Sequence, residues 1–435
     1  MTAERAGAVA WEGRRGDLAA KAGGHSGRYL TASVVTVAGT AALSIMVANW
    51  FGPEGKGEAS LVLTAAILTG SASTLGLELS LCRSIAARVR KGGQAARTAP
   101  ALLLVVTGLG AILGAIAGAA IGAATDLPTT GAIAATSAIA AATAGTIVST
   151  NLLVAARGSA TVLSSRLATS AAMVVVALAL LIAGAGLIPV LLVVGATGAA
   201  CLALQAGAFF RGHGVGRGFD LRGSRPLLAS GLRAHSGTVI QSMSYRVDYF
   251  IVAALLGTSD LGIYSVAVML AQLLWFFPDA LGMTLLQRVS LLGGDRSALE
   301  VLRRASYRAL LAMGSLALTL AATAWLIVPI VFGDGFGAAY VPLLILLPGT
   351  IALGLWKLGV NYLFAQGHDF SKTRGAAVAA ATAVGLDFLL IPEMGVNGAA
   401  LAATIAYSLA ALTALAELYV RERLPAPSLV DGGSS

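Results

Sequence analysis

Charge is scarce in this chain of 435 residues: only 11% are Asp, Glu, Lys or Arg, against about 25% in an average soluble protein. So few ionised side chains cannot coat a sizeable soluble domain, and a large soluble active site is excluded with it. Cysteine is nearly absent, and the two present, Cys82 and Cys201, make neither a disulfide scaffold nor a tetrahedral metal site. No GxxxxGK[ST] loop occurs, so the chain does not hydrolyse ATP by that route. No catalytic motif is found, no metal site is expected, and no cofactor is expected beyond a coupling ion.

What is abundant is apolar surface: 57% hydrophobic residues and 53 glycines, with a mean hydropathy of +0.84. At roughly 20 apolar residues per transmembrane helix, the length leaves room for about a dozen spans and little else. Apolar windows place them at 29–50, 59–82, 98–123, 131–155, 167–184, 188–210, 231–256, 261–287, 308–332, 339–366, 375–391 and 397–419. Gly184, Gly186 and Pro189 supply the turn that divides the fifth from the sixth. The first 27 residues are polar and basic without the apolar core of a signal peptide, and read as a cytoplasmic tail.

The net charge of +9 is explained by orientation. All but three of the 29 basic residues fall in the N-terminal tail, the even-numbered connections and the C-terminal tail, which the positive-inside rule makes cytoplasmic. Lys56 lies in an outer loop, and Arg246 and Lys357 lie inside spans. A plasma-membrane protein with both termini cytoplasmic results, and nucleic acid is not needed as a partner.

The chain repeats itself. Phe51-Gly52-Pro53-Glu54-Gly55-Lys56-Gly57 after span one and Leu256-Gly257-Thr258-Ser259-Asp260-Leu261-Gly262 after span seven align at an offset of 205, which also pairs Arg83 with Arg288. Asn151–Ala155 matches Asn361–Ala365 at 210, and Gly195–Ala200 matches Gly395–Ala400 at 200. The expected fold is therefore an all-α polytopic membrane protein of about 12 helices in two six-helix bundles, related by a parallel pseudo-two-fold repeat. The boundaries are 1–28 for the tail, 29–217 and 218–420 for the bundles, and 421–435 for the second tail. Gly110, Gly114 and Gly118 form a small-xxx-small run suited to tight helix packing.

Arg246-Val247-Asp248-Tyr249-Phe250-Ile251, with Leu256-Gly257 and Gly262-Ile263-Tyr264-Ser265-Val266-Ala267 after it, resembles the second-half signature of polysaccharide-exporting flippases. The 51–57 loop and Gly395-Val396-Asn397-Gly398-Ala399-Ala400 resemble the same family, within the multidrug/oligosaccharidyl-lipid/polysaccharide superfamily that also holds the MATE transporters and lipid II flippases. The resemblance covers residues 30 to 420 and implies a V-shaped, MATE-like transporter. Alternating access of its two bundles would flip a polyprenyl-diphosphate-linked oligosaccharide from the cytoplasmic to the outer leaflet. Membrane lipid, and a polysaccharide polymerase or glycosyltransferases, would be its partners. Where the family usually has Asn in the eleventh span this chain carries Asp387, and the first span lacks the acid of many proton-coupled drug exporters.

Ionisable residues inside spans cost about 2.5–3.5 kcal/mol on insertion scales and are functional candidates by default. At about 1.5 Å per residue, Arg246 sits roughly 15 Å from the outer end of span seven and Lys357 roughly 14 Å from the inner end of span ten, both near the midplane. Either cation suits a diphosphate; the bland alternative is a partner for a buried carboxylate. Asp248 is about 200° around the helix from Arg246, so Lys357 and Asp387 are its expected partners in an intrabundle network, or a site for Na⁺ or H⁺. Glu78 and Asp279, the latter beside Pro278, fall in spans two and eight, which line the cavity in similar proteins. Arg83 and Arg288, at the cytoplasmic ends of those spans, are candidate receivers of the diphosphate, although helix C-termini attract cations anyway. His25, His213, His235 and His368 lie at or near the cytoplasmic side without metal-ligand spacing.

Other readings compete. A MATE-type multidrug or cation antiporter calls for an acidic or aromatic pocket, and a transport-dead scaffold for glycosyltransferases calls for no pocket. A polymerase or ligase needs a large outer catalytic loop, whereas the outer loops here are short. A facilitator-type sugar transporter needs an acidic-basic signature after span two, which Arg83-Ser-Ile-Ala-Ala-Arg88-Val-Arg90-Lys91 lacks.

Overall fold

The computed structural model describes residues 3–78, 80, 94–156, 158–213, 231–232, 235, 237–292, 296–367 and 370–423. Among them there is no strand. The helices are α1 (Ala3–Ser73), α2 (Gln94–Ala124), α3 (Thr129–Ala155), α4 (Ser159–Ile182), α5 (Leu187–His213), α6 (Val247–Leu256), α7 (Thr258–Ala271), α8 (Phe276–Leu292), α9 (Arg296–Phe332), α10 (Tyr340–Ala365), α11 (Phe370–Met394) and α12 (Val396–Arg423). Eleven stretches of the described residues are long and apolar enough to cross a membrane. Large apolar side chains such as Leu104, Ile182, Leu318 and Ile330, each more than 70% exposed, suit contact with lipid rather than water. The chain is a multi-pass membrane protein.

The twelve expected spans become eleven because the first two are joined within Thr31–Ser73. Their junction is Gly52, at φ 65° and ψ −166° with Pro53 following it. Gly257, between α6 and α7, has φ 93° and ψ 178°. Only glycine populates this region readily, so the offset of 205 pairs two glycines that make the same backbone break. The Asn-led match also holds, since α3 ends at Ala155 and α10 at Ala365. The Gly195/Gly395 match does not: Gly195 lies inside α5, whereas Gly395 is the turn before α12 at φ 59°. By element order its counterpart in the first half is the turn at Ala183–Gly186, between α4 and α5. Ala/Gly-rich sequence produced that false register.

The chain divides into two compact units, Met1–Val239 and Ile240–Ser435. In the first, α2 lies on α3 through glycine. A Cβ at Gly114 would stand 2.7 Å from the Thr136 carbonyl oxygen, and one at Gly118 would stand 2.6 Å from that of Ala132. α3 also packs on α5, and α4 on α1. Leu77, Leu102, Val106, Val148, Leu152 and Phe209 form a buried cluster there. In the second unit α12 packs on α10 and α11, with Gly349 so close that a Cβ would stand 2.5 Å from Thr404 Cα.

Among the described residues three further interruptions stand out. Span two breaks at Thr74–Gly76, where Leu75 holds φ 52° and Gly76 φ 69°. A leucine in this conformation stores on the order of 1–3 kcal/mol of strain. Span seven breaks at Tyr245–Arg246, so Arg246 caps α6 at φ −140° and ψ −10° instead of standing in a continuous helix. Span eight passes through a 3₁₀ turn at Gln272–Trp275 between α7 and α8. Irregular backbone at membrane depth is tolerated where protein or a polar cavity surrounds it. Lys56 also departs from expectation: it is a buried helical residue, and its Nζ donates to Ser60 Oγ at 2.7 Å.

Candidate functional site

The interruptions in spans seven and eight bring together the most concentrated cluster of chemistry in the second unit. Lys357, on α10, donates from Nζ to Asp279 Oδ1 at 3.0 Å and Oδ2 at 3.3 Å. Its ammonium lies 4.3 Å from the centre of the Trp275 ring and 6.0 Å from that of Tyr245. The rings of Tyr245 and Trp275 are 5.1 Å apart, and Tyr407 meets Tyr245 edge-on at 6.3 Å. Gln241 Nε2 donates to the Tyr245 hydroxyl at 2.8 Å. A cation over aromatic faces gains about 0.5–2 kcal/mol depending on desolvation. The pair is lopsided: the Lys357 side chain is 14% exposed and that of Asp279 59%. The ammonium is thus held by aromatic rings and by a carboxylate that is itself largely exposed.

The expected network of Asp248, Lys357 and Asp387 does not form. Lys357 is taken by Asp279. Asp248 is buried, accepts from the Tyr264 hydroxyl and from the Tyr249 amide at 3.0 Å, and has Arg246 as its charged neighbour. The break at Tyr245–Arg246 replaces the continuous helix on which the spacing of Arg246 and Asp248 was reckoned, yet the two stay unpaired as that spacing implied. Among the described residues no ion pair within 4.0 Å joins the two, and the Arg246 guanidinium stacks 5.5 Å above the Tyr249 ring. Asp387, on α11 where it packs on α6, is 0% exposed. Neither of its carboxylate oxygens has a hydrogen-bond partner among the described residues. Arg288 is exposed on α8, and Arg83 lies outside the described residues.

In the first unit the structure gives Glu78, a candidate from the sequence, a partner that sequence reasoning passed over. His235 is buried, its Nδ1 3.7 Å from Glu78 Oε1 and its Nε2 3.1 Å from the Ala72 carbonyl oxygen. No short spacing in the sequence links residues so far apart. Elsewhere in this unit the buried Gln205 gathers Ser149, Thr150 and Ser165, with hydrogen bonds of 2.9, 2.8 and 3.1 Å. Beside it Arg166 and Thr150 line a cavity of about 220 Å³.

The helices and the backbone breaks define an all-helical, multi-pass membrane protein of MATE-like fold. The solved structures agree. A MATE family multidrug resistance transporter of the MOP superfamily, solved inward-facing, superposes with a TM-score of 0.71 at 16% identity, covering 91% of this chain and 98% of that one. The lipid II flippase MurJ in an inward closed conformation gives 0.72 at 14% identity, covering 90% and 87%. A MOP superfamily transporter from Pyrococcus furiosus, described as having a binding pocket of reversed polarity, gives 0.63 at 16%, covering 91% and 94%. No curated protein matches the sequence. The sequence profile of the family described as polysaccharide biosynthesis protein matches residues 90–340, more than half of the chain. The chain belongs to that family.

Proposed function

We propose that this transporter flips a polyprenyl-diphosphate-linked oligosaccharide from the cytoplasmic to the outer leaflet of the plasma membrane, by alternating access of its two bundles. Both termini are cytoplasmic in this reading, glycosyltransferases load the cargo, and a polysaccharide polymerase receives it. The observation that carries it is Lys357: a largely buried ammonium on an aromatic platform, paired with a carboxylate whose side chain is 59% exposed. A diphosphate can replace Asp279 as its acceptor, since an ammonium brings three donors, while Trp275 and Tyr245 offer flat faces to a sugar. Membership of the polysaccharide biosynthesis family supports the cargo class. Mass spectrometry of lipids from cells lacking the protein is expected to find a polyprenyl-diphosphate oligosaccharide that clears when the wild type is restored. An unchanged lipid profile would sink this cargo.

One observation favours the cation antiporter as second reading, namely the exposed Asp279 carboxylate beside aromatic rings. With Lys357 at 3.0 Å that carboxylate is already neutralised, which weakens it as a receptor for a cationic drug. Drug efflux from the same deletion strain separates the two.

Ion coupling belongs to Asp387 in this reading. A buried, unpartnered carboxylate costs several kcal/mol unless a proton or cation neutralises it, and Asp248 is the charge acting on it. Asp387→Asn is expected to keep the protein folded, raise its thermal midpoint, and remove the dependence of cargo movement on a Na⁺ or H⁺ gradient in proteoliposomes. Unaltered gradient dependence would rule out that role.

A further inference from the structure

We propose that Glu78 and His235 form a proton-binding site that holds one shared proton and fastens the segment leading into the second unit onto the break in span two. The inference is independent of the cargo.

The geometry begins with the backbone. The interruption at Thr74–Gly76 leaves the Ala72 carbonyl with only a long bond, 3.5 Å, from the Leu75 amide. Gly76 and Gly231 meet backbone to backbone there: a Cβ on Gly76 would lie 2.2 Å from the Gly231 oxygen, and one on Gly231 would lie 2.7 Å from the Leu75 oxygen. Four residues on from Gly231, His235 Nε2 reaches the Ala72 oxygen at 3.1 Å. A carbonyl can only accept, so this contact requires the proton on Nε2.

The other ring nitrogen is thereby constrained. In the neutral ring Nδ1 presents a lone pair, and what it faces is the Glu78 carboxylate at 3.7 Å, with side chains only 6% and 12% exposed. Two acceptors opposed in a buried site repel, and one proton on either atom turns the contact into an attraction. His235 Nδ1 and Glu78 Oε2 have no hydrogen-bond partner among the described residues, so the site has spare capacity at the place where that proton is needed. Among the described residues, the groups acting on Glu78 from the packed elements are His235, Thr74 and its own backbone, with no second carboxylate or other cation. At 3.7 Å the pair is within ionic reach but longer than a hydrogen bond. Binding a proton draws the His235 segment toward Glu78, and losing it releases the segment from the strained break.

The chain has four histidines, so replacing His25, His213 and His368 by Gln leaves His235 alone. In lipid nanodiscs, ring-¹⁵N spectra between about pH 5 and about pH 9 are expected to show Nε2 protonated throughout and Nδ1 switching once. The Glu78 carboxyl ¹³C resonance, assigned by its loss in Glu78→Gln, should move at the same midpoint, as one shared proton requires. A proton on Nδ1 with a bare Nε2, separate midpoints, or no change in either signal would each overturn the site. The fastening is read by hydrogen exchange of residues 72–78, taken as a ratio to residues 187–213 so that the intrinsic pH dependence cancels. That ratio should rise about tenfold on loss of the proton, an ordinary coupling size. It should stay flat in His235→Gln, which keeps a donor for Ala72 but no titrating ring. A flat ratio in the wild type, or a rise that persists in His235→Gln, would overturn the fastening role.

Discussion

Lys357→Ala is expected to reduce export of the lipid-linked oligosaccharide about 10- to 100-fold, seen as accumulation of that lipid in cells carrying the variant. The magnitude follows from losing a hydrogen bond to a charged group, about 1.5–3 kcal/mol, at about 1.4 kcal/mol per factor of ten. The variant should still fold, because the carboxylate left behind, Asp279, is 59% exposed rather than sealed in the protein interior. Asp279→Asn makes the opposite change, sparing the ammonium and removing its intramolecular competitor. Lys357 then retains the Trp275 face at 4.3 Å, and export is expected to persist. Equal loss of export in both variants would make the ion pair a structural clamp, and the binding role would fail.

The contrast between these substitutions was not legible in the sequence. Hydropathy located most span ends to within several residues, with the helices of the fifth and ninth expected spans starting earlier, at Ser159 and Ser297, because the bilayer imposes length and polarity on every helix alike. The motif at Gly52 and Gly257 was readable because a backbone break open only to glycine leaves a residue-type signature. Pairing was a different matter. The break at Tyr245–Arg246, where the helix stops, went unseen, although Arg246 and Asp248 are left without an ion pair within 4.0 Å, as their spacing implied. Nothing in Ser244-Tyr245-Arg246-Val247 marks a break as glycine or proline would. The partner of Lys357 was sought among the acids of spans seven and eleven, yet it came from α8, where Pro278 precedes Asp279 and the 3₁₀ turn re-aims the helix. His235 was missed for a related reason: it was judged by its distance from other histidines, whereas its partners are a carboxylate and a carbonyl more than 150 positions away.

Gly118→Leu is expected to abolish the folded protein altogether. Gly110, Gly114, Gly118 and Gly122 repeat at every fourth position along α2, and each faces α3, with the nearest atoms to an added Cβ at 3.0, 2.7, 2.6 and 2.5 Å. Three of those nearest atoms are backbone oxygens and the fourth is a Cα, so no rotamer change can make room. Overpacking a single site in a packed core costs roughly 1–3 kcal/mol when side chains can yield; here the helix itself must shift, and α3 is held on its other side by α5. The shift would propagate into Ser149 and Thr150, which α3 presents to Gln205. The measurement is the monodisperse fraction recovered in detergent by fluorescence-detected size exclusion. Gly118→Ala should lower it in part, and Gly118→Leu should leave only aggregate. Gly108 lies on the same helix with nothing within 4 Å of an added Cβ, so Gly108→Leu should behave as the wild type. If Gly108→Leu were as damaging as Gly118→Leu, the loss would reflect helix propensity or insertion, and the glycine face would not be what holds α2 to α3.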